Sequence, residues 1–312
     1  MMRQRKHPKE SPATNLGQVG YAQYVVITPV RDEAEFIEKT IHSMIRQTIR
    51  PTEWIIVNDG STDRTAEIVA GYAEEHPWIK LVNRKDRGTR QRGKGVVEAF
   101  YAGYEVLTCQ DYGFIVKLDG DLSFGADYFE SLLHEFASRP RLGIAGGGVH
   151  EKRLGEDKWI LRTSKDHVRG PTKVYRRACF EAIGGLAPVL GWDGVDEWRA
   201  LTLGWEVQSF LHLRIFHYRF TGAATGQLKS RIEQGYGAHY MGYHPLFMIA
   251  RGIWHMFSRP YLIGGMAMLL AYCVAWLQKR EQMPDPSVIR YVRRTQLRQL
   301  VGLLVGKPIH EN

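Results

Sequence analysis

Asp119 and Asp121, separated only by Gly120, stand at the end of the apolar run Phe114-Ile-Val-Lys-Leu118. Two carboxylates this close repel unless a cation lies between them, and hard divalent ions such as Mg²⁺ or Mn²⁺ take oxygen ligands together with substrate phosphates. The pair reads either as a metal site that holds a diphosphate or as an acidic surface turn. A second acidic cluster, Asp193, Asp196 and Glu197, lies between Trp192 and Trp198. A carboxylate held against aromatic rings loses water, so its pKa rises and it becomes a better proton acceptor; alternatively, Asp193 and Asp196 cap a helix start. In the loop from Arg84 to Gly95, the five cations that follow Arg84 (Lys85, Arg87, Arg90, Arg92, Lys94) are interspersed with Gly88, Gly93 and Gly95. Glycine lets backbone approach a phosphate and the cations offset its charge, which makes this loop an anion clamp or else a solvated basic loop. His217 follows the apolar stretch His212 to Phe216, where a histidine is more often structural than a ligand.

The elements that must carry these residues alternate between strand and helix. Tyr24 to Thr28 is a β-branched run ended by Pro29, and Glu33 to Gln47 carries a helical stripe of Phe36, Ile37, Ile41, Met44 and Ile45. Trp54 to Asn58 is a second strand, which runs into the turn cluster Asp59-Gly-Ser-Thr-Asp63 and a helix over Thr65 to Glu75. Ile79 to Asn83 is a third strand, Val96 to Leu107 a helix, and the strand from Phe114 delivers the aspartates. Ala126 to Ser138 reads as a helix, and Leu142 to Val149 as a strand whose Gly146, Gly147 and Gly148 indicate close approach by a ligand or another backbone. Arg169 to Gly185 begins an acceptor half, and Trp205 to Phe210 and His212 to Phe216 read as two further strands. This order predicts an α/β fold, a mostly parallel, Rossmann-like sheet flanked by helices, with ligands at the C-terminal ends of its strands.

The 312 residues are 44% hydrophobic, enough for a sizeable core, and Cys109, Cys179 and Cys273 have no disulfide or zinc spacing. Met1 to Asn15 is polar and basic without an apolar stretch; it is read as part of a disordered lead-in over 1–20 rather than a secretory leader. The net charge of +9 is concentrated late: from Arg251 onward nine Lys/Arg face three acids, beside the most apolar part of the chain. That distribution favours an anionic membrane surface over nucleic acid.

Five features occur in one order: Val26-Ile-Thr-Pro-Val-Arg-Asp-Glu33, Asn58-Asp-Gly-Ser61, the glycine-rich basic loop, Asp119-Gly-Asp121, and Trp192-Asp193 ahead of Gly204. Together, over Tyr24 to Thr221, they resemble glycosyltransferase family 2, inverting enzymes of GT-A fold that use nucleotide-diphosphate sugars, here of the bacterial polysaccharide-biosynthesis type. The resemblance implies that Pro29, Arg31, Glu33 and Asp59 hold the base and ribose. It assigns Asp119 and chiefly Asp121 to Mn²⁺ or Mg²⁺ on the diphosphate, with His217 as a further ligand, and Arg92 or Lys94 to the phosphates. Asp193 matches the position of the catalytic base, with Asp196 in reserve. The family's usual Glu-Asp pair is Trp192-Asp193 in this chain. The expected partners are a nucleotide-sugar donor, UDP being the family's commonest nucleotide, and a glycan or lipid-linked acceptor. Competing readings explain less: a sugar nucleotidyltransferase lacks its early glycine-rich basic signature here, a nucleotide-sugar binding protein without turnover does not require the acidic cluster at Asp193, and nucleic-acid binding leaves the paired aspartates unexplained.

The sequence thus divides into a GT-A catalytic domain over 21–225 (nucleotide-sugar half 21–122, acceptor half 123–225) and apolar helices with a basic tail over 226–312. From Leu246 to Phe257 the chain is almost continuously apolar apart from Arg251 and His255, which with Arg259 fall four apart on one helical face. Tyr261 to Leu277 is uncharged but short of the roughly 20 residues a spanning helix needs. The segment reads as a monotopic or peripheral anchor at the cytoplasmic face of the cell membrane, or as a helical hairpin packed on the catalytic domain.

Overall fold

A computed structural model describes residues 23–88, 93–152, 157–189, 191–219, 226–258 and 260–304. The lead-in over 1–20, Arg90 and Arg92 of the basic loop, Arg259 and the end of the tail lie outside the described residues.

The first strand, β1 (Tyr24–Val30), shows period-two burial on both faces: Tyr24 and Val26 enter one core while Val25 and Ile27 enter the other. Such a strand belongs inside a sheet covered by helices on each side. β2 (Glu53–Asn58), buried throughout, lies parallel to β1, β3 (Ile79–Asn83) lies parallel to β2, and β4 (Phe114–Leu118) pairs in parallel with β1 from the other side. β1 continues through Pro29, where prediction ended it. The last β1–β4 pair is Ile27 with Lys117, so Pro29 lies where that side of the strand is no longer paired and its missing N–H is tolerated.

Past the aspartates the chain forms β5 (Leu122–Phe124), β6 (Leu142–Lys152), the short β7 (Trp159–Leu161), β8 (Thr172–Arg176) and β9 (Glu206–His217). The order is β3-β2-β1-β4-β8-β6-β9-β5, with β7 on β6; β8 runs antiparallel between β4 and β6, and β6 and β9 are parallel. One sheet therefore runs through residue 122 without a break. The two strands expected near residues 205 and 212 are a single strand, β9, whose register against β6 jumps from Gly147–Phe210 to Gly148–Arg214. The bulge explains the glycines. A Cβ on Gly147 would lie 2.3 Å from the Leu213 carbonyl oxygen, and one on Gly148 2.7 Å from that of Leu211.

One face of the sheet is covered by α1 (Ile37–Ile45), α2 (Thr65–Glu75) and α4 (Tyr128–Ser138), through Ile37, Ile41 and Met44, Val69, and Phe129, Leu132 and Phe136. The other is covered by α3 (Lys94–Tyr104), α5 (Arg177–Ala182) and α6 (Trp192–Thr202), through Val97 and Phe100, Phe180, and Trp192 and Ala200. The back of α6 supplies Val195 and Trp198 to a third core, shared with α7 (Gln227–Tyr240), α8 (Pro245–Met256), α9 (Ile263–Leu277) and α10 (Pro286–Leu304). These last helices are thus packed on the element that carries Asp193. Among the described residues no helix is long and apolar enough to cross a membrane; α9 has 15 residues.

Candidate active site

The end of β4 turns sharply through Gly120. A Cβ there would fall 2.6 Å from Val30 Cγ1 and 3.1 Å from Ile37 Cδ1, so only a missing side chain lets the turn press on β1 and α1. Asp119 N–H donates to the Pro171 carbonyl at 2.8 Å, and Thr40 on α1 both accepts from Leu122 N–H (2.8 Å) and donates to its carbonyl (3.0 Å). The two aspartates are held from both ends. β5 pairs antiparallel with the end of β9, Leu122 opposite His217, which carries the imidazole back to the acidic turn although it is distant in sequence. Ligand atoms of Asp119, Asp121 and His217 all lie within 4.8 Å of one another, and His217 Nε2 is 3.2 Å from Asp121 Oδ2.

This donor set fits a divalent ion. Two carboxylates and an imidazole suit Mn²⁺, and a hard ion leaves positions for phosphate oxygens and water. Glu151, buried on β6, takes the other imidazole nitrogen at 3.0 Å and is itself paired with Arg169 at 2.8 Å. A carboxylate on Nδ1 fixes the ring with Nε2 toward the ligand position. Burial works against a charged His217, but the hydrogen bonds of Asp121 and Glu151 and the charges of Asp121 and Asp119 outweigh it and push its pKa up to about 10. Burial likewise opposes ionisation of Asp121, yet His217 and Arg219 hold its carboxyl below the ordinary carboxylate range.

The loops after β1 and β2 form a wall beside this edge. Arg31 donates to the Asp59 carbonyl at 2.7 Å and pairs with Asp86 at 2.8 Å, while the Asp59 carboxylate is held by Arg84 at 2.7 Å and by Arg87. Asp32 sits at φ +54°, a conformation aspartate tolerates better than most residues, and accepts from Thr62 N–H at 2.7 Å. Glu33 N–H donates to Thr65 Oγ1 at 2.8 Å, and its carboxylate pairs at 3.0 Å with Arg219, just beyond His217. Glu33 is thereby joined to the metal-ligand edge through Arg219, and Arg31 and Asp59 to one another beside it, while Pro29 pairs with Val57 of β2 at the start of the same loop. Lys94, by contrast, is exposed on the first turn of α3, pairs with Glu98 at 3.6 Å, and lines with Arg84, Tyr101 and Pro188 a cleft of about 400 Å³. Among the described residues no contact joins it to Asp119 or Asp121, and Arg92 lies outside them.

Asp193 and Asp196 meet different fates on α6. Asp193 lies in the first turn, its Oδ2 3.2 Å from where a Cβ on Gly170 would be, and the Gly170 carbonyl accepts from Lys117 at 2.8 Å. Lys117 also holds Asp119, so the segment packed against Asp193 is tied through one lysine to the acidic edge. Asp196 is 0% exposed: Lys173 reaches its oxygens at 2.8 and 3.0 Å, and the Tyr175 hydroxyl donates to Oδ2. The Glu197 N–H donates to Asp196 as well, so its oxygens are taken up by the protein, whereas Asp193 is partly exposed. Glu197 is buried with Asp196, held by Lys173 at 3.0 Å, His167 at 2.8 Å and Val168 N–H at 2.8 Å; burial opposes its charge, but His167 and Lys173 keep its pKa low. The tryptophan beside Asp193 serves cations rather than a carboxylate: Lys117 and Lys173 Nζ lie 5.3 and 5.6 Å from the Trp192 ring centre.

Four residues that sequence reasoning passed over therefore shape the site: Lys117, Glu151, Arg169 and Lys173. Their one signal is a charged side chain inside or beside an otherwise buried strand, which signifies a partner but not which one.

The architecture is that of a GT-A glycosyltransferase. A mannosyltransferase from Pyrobaculum calidifontis, solved with GDP-Man and Mn²⁺, superposes over 93% of this chain and 83% of its own with a TM-score of 0.52 at 16% identity. GalNAc-T7, solved with UDP, GalNAc and Mn²⁺, matches over 92% of this chain and 58% of its own with a TM-score of 0.56 at 11% identity. The sequence model "Glycosyl transferase family 2" matches residues 25–189, and the chain belongs to that family. Among relatives, the uncharacterized glycosyltransferase EpsJ of Bacillus subtilis (strain 168) is 31% identical over 130 residues, 41% of this chain and 34% of that protein. The poly-beta-1,6-N-acetyl-D-glucosamine synthase of Staphylococcus aureus (strain COL) is 30% identical over 117 residues, 37% of this chain and 26% of that protein. The match thus spans about a third or less of these relatives' length.

Proposed function

We propose that this glycosyltransferase works by inversion, moving a sugar from a nucleotide-diphosphate sugar, UDP-linked by preference, to a hydroxyl of a glycan or lipid-linked acceptor at the cytoplasmic face of a membrane. The observation that carries the reading is the meeting of Asp119, Asp121 and His217 at one sheet edge, to which Glu33 is joined through Arg219 and the segment beside Asp193 through Lys117. The wall of Arg31, Glu33 and Asp59 takes the base and ribose. A bound Mn²⁺ or Mg²⁺ supplies the charge that stabilises the leaving diphosphate. Asp193 removes the proton from the acceptor hydroxyl as that oxygen attacks the anomeric carbon opposite the diphosphate, so the configuration inverts. Lys117 holds Asp119 in place and opposes the burial that raises its pKa, and Glu151 keeps Nε2 of His217 turned toward Asp121.

The membrane placement rests on the outer face of α8 and α9, where Trp254, Phe257, Leu262, Ile263, Leu270 and Trp276 are all exposed; Phe257 is 79% exposed. Apolar patches of this kind mark membrane or protein contact, and the basic residues around it favour an anionic bilayer. Support for a nucleotide-sugar donor comes from the solved neighbours, whose complexes hold GDP-Man and UDP; they leave the nucleotide open between the two. The test is calorimetric binding of UDP and GDP with and without Mn²⁺, alongside Asp121→Asn. Metal-dependent binding of one nucleotide, lost in the variant, is expected. A folded protein that binds neither nucleotide in a metal-dependent way refutes the proposed site.

A further inference from the structure

α7, α8 and α9 pack through glycine: a Cβ on Gly235 would fall 2.3 Å from the Met268 carbonyl oxygen, and one on Gly265 2.2 Å from that of Gly252. Backbones this close force long side chains out of the helix contacts. Arg231 of α7 lies against the start of α9, its Cγ 3.5 Å from the Cβ position of Gly264. Its guanidinium donates to Gln234 at 3.1 Å, to Ser258 in the turn at 3.2 Å and to His255 Nε2 at 3.3 Å. An arginine N–H only donates, so Nε2 accepts and the ring proton sits on Nδ1. That buried Nδ1 has no hydrogen-bond partner among the described residues.

The charges that act on this cluster's two titrating groups are, among the described residues, cationic. Among the described residues, Arg251, one turn before His255 on α8 and with its guanidinium 5.9 Å from the Tyr243 ring centre, is the cation that acts on Arg231, and both arginines act on His255. Burial, then these two cations, press the His255 pKa down to about 4, so the ring is neutral and serves as acceptor and donor. A half-buried guanidinium beside a second cation is an unfavourable arrangement unless an anion completes it, and arginine matches phosphate geometry with paired N–H groups. The same turn carries exposed Phe257, Tyr261, Leu262 and Ile263, with Trp254 beside His255. An anion with attached acyl chains fits both halves of this surface: phosphate oxygens toward the guanidinium, chains along the apolar rim.

We propose that Arg231, Arg251 and His255 form a binding site for the phosphate of an anionic lipid, seated under the α8–α9 turn with its chains against Trp254, Phe257 and Leu262. The site rests on the membrane placement proposed above and adds to it a defined headgroup contact. Free phosphate shares the headgroup's chemistry but does not use the apolar rim.

The test is co-sedimentation of the full chain with phosphatidylcholine vesicles and with vesicles containing phosphatidic acid, for the wild type, R231Q/R251Q, and R290Q/R294Q, a pair of equal charge change on the exposed side of α10. The wild type is expected to prefer the anionic vesicles, and R231Q/R251Q to lose that preference by about thirtyfold, roughly fivefold for each arginine, while keeping its phosphatidylcholine binding. R290Q/R294Q is expected to lose less than about fivefold. Because Arg231 packs against α9, R251Q alone, with its circular dichroism unchanged, is a second variant that should lose roughly fivefold. Equal loss in R290Q/R294Q means diffuse charge and overturns the site, as does competition by inorganic phosphate as effective as the lipid at matched ionic strength. Equal wild-type binding to both vesicle types overturns the site and leaves the membrane placement standing. Binding to neither removes the membrane placement and the site together.

Discussion

Lys173→Met is the perturbation that most directly probes how Asp193 is positioned. Lys173 is fully buried and bonds both Asp196 oxygens, reaches Glu197 at 3.0 Å and donates to the Asp193 carbonyl. Methionine replaces the stem and removes the charge. Tyr175 and Glu197 N–H still serve Asp196, and His167 still serves Glu197, but two buried carboxylates lose their shared cation. Removing one partner of a buried ion pair costs about 3–5 kcal/mol, which for a chain of this size lowers the melting temperature by roughly 6–20 °C. Adding Asp196→Asn removes the surplus charge while its carbonyl oxygen still accepts from Tyr175, so K173M/D196N should recover most of the loss. The assay is thermal unfolding of wild type, single and double variants by circular dichroism, with turnover measured below the lowest melting temperature. Both variants should turn over slowly, because neither restores the ammonium that ties the first turn of α6 to β8. A single variant melting within about 2 °C of wild type, or a double no more stable than the single, refutes the reasoning that this network is a charge-balanced support.

Asp193→Asn should lower turnover by about 10²–10⁴ while leaving nucleotide affinity unchanged in calorimetry; full transfer by the variant removes Asp193 as the base. His217, raised to about 10 by Asp121 and Glu151, is protonated at neutral pH in the metal-free protein. A metal on Nε2 must displace that proton, so Mn²⁺ affinity should rise about tenfold per pH unit on approaching pH 10 from below, with about one proton released in calorimetry across buffers of different ionisation enthalpy. No proton release means His217 is no ligand. Gly120→Ala sets a methyl 2.6 Å from Val30 Cγ1 and should destabilise by about 1–3 kcal/mol, read in urea unfolding, with weaker metal-dependent nucleotide binding because the turn between the two aspartates must move.

The sheet was legible because its strands repeat the same physical pattern: apolar, β-branched and followed by a polar turn. Helix α2 and strand β3 fall on the predicted residues, since a turn cluster before Thr65 and a buried five-residue run leave little choice. What failed to show was anything set by partners far apart in sequence. The bulge that makes β9 one strand depends on Gly147 and Gly148 meeting carbonyls about sixty residues later, and a local reading sees only an interruption at Leu211. Asp193 and Asp196 look alike on the page; burial of one beneath Lys173 and Tyr175 separates them, and no spacing rule contains that.

Trp192 has a reason in the same geometry. β4 and β8 are antiparallel with Lys117 directly opposite Lys173, which places two buried ammonium groups on neighbouring strands. Like charges so paired repel unless each has its own compensation. Lys117 turns to Asp119 and the Gly170 carbonyl, Lys173 to Asp196 and Glu197, and the Trp192 ring lies against both. An aromatic face attracts both cations without taking a proton or claiming either one. A glutamate at this position would compete with Asp119 for Lys117 and with Asp196 for Lys173. The tryptophan instead leaves the first lysine to the metal-ligand edge and the second to the helix of the proposed base, and so joins the two halves of the site through one buried ring.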